Sequence, residues 1–106
     1  MDYAIVRVPK PLPAPGGESA ISITQGGGSG KRVTPGDVGD AITAILLVDD
    51  VARRADAAAA EQGVDPPKVP RVPRKVTMTV SNDESKAASG DQLSALVKGL
   101  AKLKED

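Results

Sequence analysis

The spacing of apolar residues divides the chain into short alternating stretches, one long helical stretch and a second, shorter one. At about 100° per residue, Ala41, Ala44, Ile45, Val48, Val51, Ala52, Ala55 and Ala59 fall on one stripe, with Asp50, Arg53, Arg54 and Glu61 away from it. This predicts a helix facing a core. Thr34 is a good N-cap, Pro35 suits the first helical position, and Asp37 is placed to complete a capping box and complement the helix dipole. Gly63 followed by Pro66 and Pro67 supplies the stop, so the helix runs over 35–62. Residues 44–48 are a continuous apolar run that a buried strand would also show. The caps and the alanines at 55 and 57–60 favour helix. Val38, Ile42 and Leu46 form a second stripe at spacing four, which leaves the first half of the helix apolar on two sides. A helix of about 28 residues is roughly 40 Å long, more than a compact domain of this chain length is wide, so part of it is expected to project.

The remaining elements are shorter. Residues 2–8 alternate as a strand, with Tyr3, Ile5 and Arg7 on one face and Ala4, Val6 and Val8 on the other. Pro9, Pro11, Pro13 and Pro15 then exclude both helix and central strand and predict a stiff extended arm. Residues 1–19 are therefore read as a strand and arm outside a single domain of 20–106. Residues 20–24 and 31–34 read as the two strands of a hairpin whose tip is 25–30. Val76, Met78 and Val80 alternate with Thr77 and Thr79, predicting a half-buried strand over 76–80. Ser81 with Glu84, and Ser89 with Gln92, each offer a capping box, and Gly90 favours the second as the start of a helix over 90–104. Its apolar face is Leu93, Leu96, Val97, Leu100 and Leu103. The expected fold is α+β: a small antiparallel sheet of three or four short strands, packed by the long helix and the short amphipathic C-terminal helix, with Pro/Gly-rich arms.

Composition narrows the function. Leu, Ile and Val number 24 of 106 residues and Phe is absent, just above the share that marks disorder, so the core is thin. The absence of Cys removes disulfides and thiolate metal sites, and the absence of His removes the usual neutral-pH base and metal ligand. No cofactor or metal is expected, and no enzymatic activity. Fourteen basic residues balance fourteen acidic ones, so net charge draws the chain to neither nucleic acid nor membrane. No apolar run approaches the roughly 20 residues of a membrane span. The expected location is the cytoplasm or a viral particle.

Two local patterns resemble three known signatures. Gln25-Gly26-Gly27-Gly28-Ser29-Gly30-Lys31 resembles a phosphate-binding loop, which would imply a nucleotide. Gln25 stands where the first glycine is needed, Arg32 where the magnesium-binding hydroxyl is needed, and Pro35 delays the helix. Ile45-Leu46-Leu47-Val48-Asp49-Asp50-Val51 resembles the first strand and paired acids of receiver domains, and equally the acidic motif of phosphoribosyltransferases. Too little chain follows for the first, and Ala52-Arg53-Arg54-Ala55-Asp56 replaces the phosphate-cradling loop of the second. Asp49 and Asp50 read instead as a solvated helix face paired with Arg53 and Arg54 at spacing four.

The sharpest pattern outside the core is Asp65-Pro66-Pro67-Lys68-Val69-Pro70-Arg71-Val72-Pro73-Arg74-Lys75, the connector 65–75. Prolines at every third position give a polyproline II repeat with a basic edge of Lys68, Arg71 and Arg74. The bland reading is a connector lying along the acidic helix of its own chain, since 35–62 holds six acids against two bases. The functional reading is a strap that contacts phosphate or acidic partners through Lys68, Arg71, Arg74 and Lys75. The preferred expectation for the whole chain is a non-enzymatic, homo-oligomeric assembly protein, a repeated subunit of a larger particle such as a viral capsid, tail or connector component. Its partner interface would include Val38, Ile42, Leu46, Val69, Val72, Leu96 and Leu100. The alternative is a regulatory or nucleic-acid-associated adaptor that uses the strap 67–75.

Overall fold

A computed structural model of the chain describes residues 2–26, 31–88 and 90–106. In chain order the elements are β1 (Tyr3–Arg7), β2 (Lys10–Pro11), β3 (Ser19–Gln25), β4 (Arg32–Val33), α1 (Pro35–Gln62), β5 (Lys75–Ala87) and α2 (Gln92–Ala101). The class is α+β, as expected, and residues 44–48 lie within α1.

Helix α1 begins and ends where its caps dictate. The Thr34 hydroxyl accepts from the Asp37 N–H, and Gly63 closes the helix at φ 65°, a left-handed conformation that costs glycine little. The capping box is altered in one respect. Asp37 does not reach back to the Thr34 N–H; that group donates to Asn82 Oδ1 at 2.8 Å, and the Asp37 carboxylate takes the Thr34 hydroxyl at 2.7 Å. On the solvent side, Asp49–Arg53 and Asp50–Arg54 pair at spacing four, each at 3.1 Å. At this exposure such pairs contribute a few tenths of a kcal/mol.

The sheet has the order β1-β5-β3 and is mixed. Its centre is β5, which runs 13 residues and does not stop at Val80. β3 pairs with it antiparallel, from Ala20↔Asp83 to Gln25↔Met78, with a bulge at Ser19/Ala20. β1 pairs with it parallel, from Tyr3↔Lys75 to Arg7↔Thr79. Three expectations are thereby corrected. The sheet is not purely antiparallel. Residues 3–7 are a strand of the sheet rather than part of an outside arm. β3 and β4 form no hairpin, because β3 pairs with β5 while β4 pairs with β2 in a short parallel ladder. Residues 27–30 of the expected hairpin tip and phosphate-binding loop lie outside the described residues.

Both helices lie on one face of the sheet. Val76, Met78 and Val80 of β5 pack with Ala41, Ala44, Ile45 and Val48 of α1 and with Leu96 and Leu100 of α2. Ala4, Val6, Ile21 and Ile23 of the flanking strands fill the edges of this core. α2 runs from Gln92 to Ala101, shorter at both ends than the expected 90–104; its N-cap is Asp91, whose carboxylate accepts from the Ser94 N–H, and the Ser89 cap lies outside the described residues. After α2 the chain takes over where β3 ends. The Lys104 N–H donates to Gln25 Oε1 at 2.8 Å, and the Asp106 N–H to the Lys75 carbonyl at 2.8 Å.

The proline segment is also docked on its own chain. The Leu12 N–H donates to the Val33 carbonyl, and the Gly17 N–H to Asp37 Oδ1 at 3.1 Å. The molecule is elongated, 49 × 29 × 17 Å, with a radius of gyration of 14.8 Å. A compact domain of this length has about 13 Å.

Candidate partner-binding face

The first half of α1 carries more apolar surface than its own sheet can cover. Ala41, Ala44, Ile45, Val48 and Ala52 face the core. On the two flanks of this stripe, Ile42 and Leu46 on one side are 43% and 58% exposed, and Leu47 and Val51 on the other are 44% and 47% exposed. A surface helix normally places polar residues there, and one that is apolar all round is normally covered all round. Val51 was expected on the core stripe; it sits instead with Leu47, one turn away, on the exposed side.

Beside this helix face lies the free edge of the sheet. Among the described residues β1 pairs on one side only, with β5. The Tyr3 N–H donates to the Arg74 carbonyl, so in the parallel register Tyr3, Ile5 and Arg7 direct their backbone groups at β5. Ala4 and Val6 therefore direct theirs away from the sheet. The side chains of Ala4 and Val6 join Ile42, Ile45 and Leu46 in lining a groove of about 310 Å³ between β1 and α1. A smaller groove of about 150 Å³, lined by Leu47, Val48, Val51, Pro70 and Val97, lies on the other side of the helix.

The sequence-predicted interface residues divide into two groups. Ile42 and Leu46 are exposed side by side on this face, with Val38 half-buried one turn before them. Leu96 and Leu100, at 3% and 0% exposure, and Val72 at 8%, are committed to the chain's own core and are not available to a partner; Val69 is half-buried on the connector. α2 uses its apolar face internally because the sheet needs a second cover over β3. The residues that the sequence reading missed are Ala4, Val6, Leu47 and Val51. Leu47 and Val51 stand at spacing four beside Leu46, a third apolar stripe legible in principle. Nothing in the sequence marks Ala4 and Val6 as an edge until the parallel pairing is known.

Two of the four basic residues of the strap are paired within the chain. Arg71 makes a two-pronged contact with Asp56 of α1, at 2.8 and 2.7 Å, and Arg74 meets Asp2 at 2.9 Å. The hydrogen bonds from Arg71 hold the Asp56 carboxyl below its usual range. Lys68 and Lys75 are exposed without an ion pair among the described residues. The strap is thus fastened along the acidic helix of its own chain.

Titratable groups elsewhere serve the fold. The Asp106 carboxylate accepts the Tyr3 hydroxyl at 3.1 Å, the Thr77 hydroxyl at 2.9 Å and the Thr77 N–H at 3.1 Å. Its hydrogen bond raises the Tyr3 phenol above the ordinary value. Ser94 and Ser85 lower the carboxyls of Asp91 and Asp83 in the same local way. Among the described residues no group of three or more acids is placed to hold a metal ion, and no helix is long and apolar enough to cross a membrane.

The chain matches no protein-family model, and no curated protein and no solved structure matches it. Function is read from the surface itself.

Proposed function

We propose that the chain is a non-enzymatic assembly protein, a repeated subunit that builds a larger oligomer through protein–protein contacts. The observation that carries this reading is that α1 is apolar and exposed on both flanks of its buried stripe, with Ile42 and Leu46 beside β1 and Leu47 and Val51 beside the proline connector. Leaving such surface in water costs about 25 cal/mol per Å² of apolar surface, and covering it in an assembly recovers that amount. Both Pro-rich segments make contacts within their own chain, and the reading places the main contact with neighbours on the helix. A nucleic-acid adaptor reading is left with Lys68 and Lys75, because Arg71 and Arg74 are engaged by Asp56 and Asp2.

The test is the solution mass by light scattering over a concentration series. A stable multiple of 10.8 kDa is expected. Leu46→Asp, at an exposed position that the monomer fold does not need, should return the mass to one chain with the helix content unchanged. A monomer at every concentration would overturn the reading.

A further inference from the structure

The geometry points to a second copy of this chain as the occupant of the free β1 edge, paired antiparallel across a two-fold axis at Ile5, so that two sheets become one of six strands. This rests on the assembly reading and names its interface.

Register follows from which backbone groups are free. Ala4 and Val6 direct their N–H and C=O groups outward, so an antiparallel neighbour must hydrogen-bond at these positions. Pairing Ala4 with Val6 of the second copy satisfies both ends at once and leaves Ile5 opposite Ile5. An isologous contact requires this kind of self-complementarity. The outer face of the strand agrees with it. In the same register Tyr3 lies opposite Arg7 of the second copy, and Arg7 opposite its Tyr3. Arg7 is exposed and has no ion pair among the described residues, and the Tyr3 ring, 41% exposed, has its hydroxyl on the Asp106 carboxylate. The guanidinium of one copy thus lies opposite the Tyr3 ring of the other. A cation and an aromatic ring meet twice across the axis.

The inner face is served by the same axis. A two-fold normal to the sheet puts both α1 helices on the same side, next to each other. Ile42 and Leu46 of the two copies then close the grooves lined by Ala4 and Val6. A monomeric protein of 10.8 kDa exposes about 5,500 Å². This chain exposes 6489 Å². The excess, on the order of 900 Å², goes with the elongated shape of the molecule.

The chain has no cysteine, so a single one can be placed without background. Opposed residues of a non-hydrogen-bonded antiparallel pair have Cα atoms about 4.5 Å apart, within disulfide reach. Ile5→Cys, oxidised mildly at neutral pH, should run as a covalent dimer on a non-reducing gel while keeping the wild-type solution mass. Thr24→Cys, on the opposite edge strand, should not cross-link. Ala4→Pro removes an outward N–H that the β5 ladder does not use, and should lower the solution mass to a single chain without loss of circular dichroism. An oligomer in which Ile5→Cys fails to cross-link, or in which folded Ala4→Pro keeps its mass, would overturn this interface and leave the assembly reading standing. A monomer at all concentrations would overturn both. If Ala4→Pro does not fold, the cross-link alone decides.

Discussion

Asp37 and Asn82, separated by 45 positions, share a 2.7 Å hydrogen bond at a point where neither is more than 1% exposed. The Asn82 amide donates to the carboxylate from the middle of β5 and accepts the Thr34 N–H at the mouth of α1. The Thr34 hydroxyl and the Gly17 N–H complete the carboxylate's shell. A buried charge without a cation is tolerated because three donors and a helix N-terminus surround it. This one cluster fixes α1, β5 and the Gly16-Gly17 turn relative to each other.

Asn82→Ala strands the Thr34 N–H and takes a donor from a fully buried carboxylate. A loss of about 3 kcal/mol is expected, larger than that of an ordinary surface change. Urea unfolding checks it: the midpoint should fall with the slope unchanged.

Two glycines should respond with opposite signs. A Cβ on Gly16 would lie 3.3 Å from the backbone of Asp37 and Gly36, so Gly16→Ala presses on the cluster and should destabilise by about 1–3 kcal/mol. A Cβ on Gly39 meets nothing within 4 Å, and Gly39→Ala in the first turns of α1 should stabilise by about 0.5–1 kcal/mol. Thermal melts of the two variants should move in opposite directions.

Tyr3 is the only tyrosine and the chain has no tryptophan, so phenolate absorbance reports one group. Its bond to Asp106 favours the neutral phenol and should place the titration above the ordinary value of about 10. With the folded value raised, the contribution to stability is fully present below the unfolded value and is lost as pH rises through the folded one. Asp106→Asn should return the midpoint toward that of free tyrosine.

Leu100 and Leu93 test which face of α2 is internal. Leu100 is fully buried and Leu100→Ala should cost about 2–5 kcal/mol; Leu93, 49% exposed, should cost much less. Comparable losses at both positions in chemical denaturation would contradict the packing of α2 against β3 and α1.

Legibility in the sequence followed the locality of the forces. α1 was readable from end to end because caps, stripe and stop are all local: Thr34, Pro35 and Gly63 act within a few residues. β5 was readable only as far as Val80. Ser81, Asn82 and Asp83 carry the chemistry of a helix start, and they extend a strand because β3 pairs with them and the start of α1 supplies the partners that Asn82 needs. The parallel partnership of β1 was not legible, since its ladder joins Tyr3 to Lys75 across the whole of α1. For the candidate face, Ile42 and Leu46 stood out by spacing. Leu96 and Leu100 looked equally available, and only the sheet beneath α2 shows that they are taken. Arg71 illustrates an intermediate case: the acids of α1 were visible as a class, and the fold selects Asp56.

The central place of β5 also sets a timetable. Among the described residues β1 and β3 each pair only with β5, and β5 begins at Lys75. A nascent chain therefore carries two strands without a ladder through most of its synthesis, while α1 can already wind. Non-local pairing of this kind closes slowly. Until it does, the alternating Tyr3–Arg7 segment is an open template, exposed to any neighbour on the same messenger.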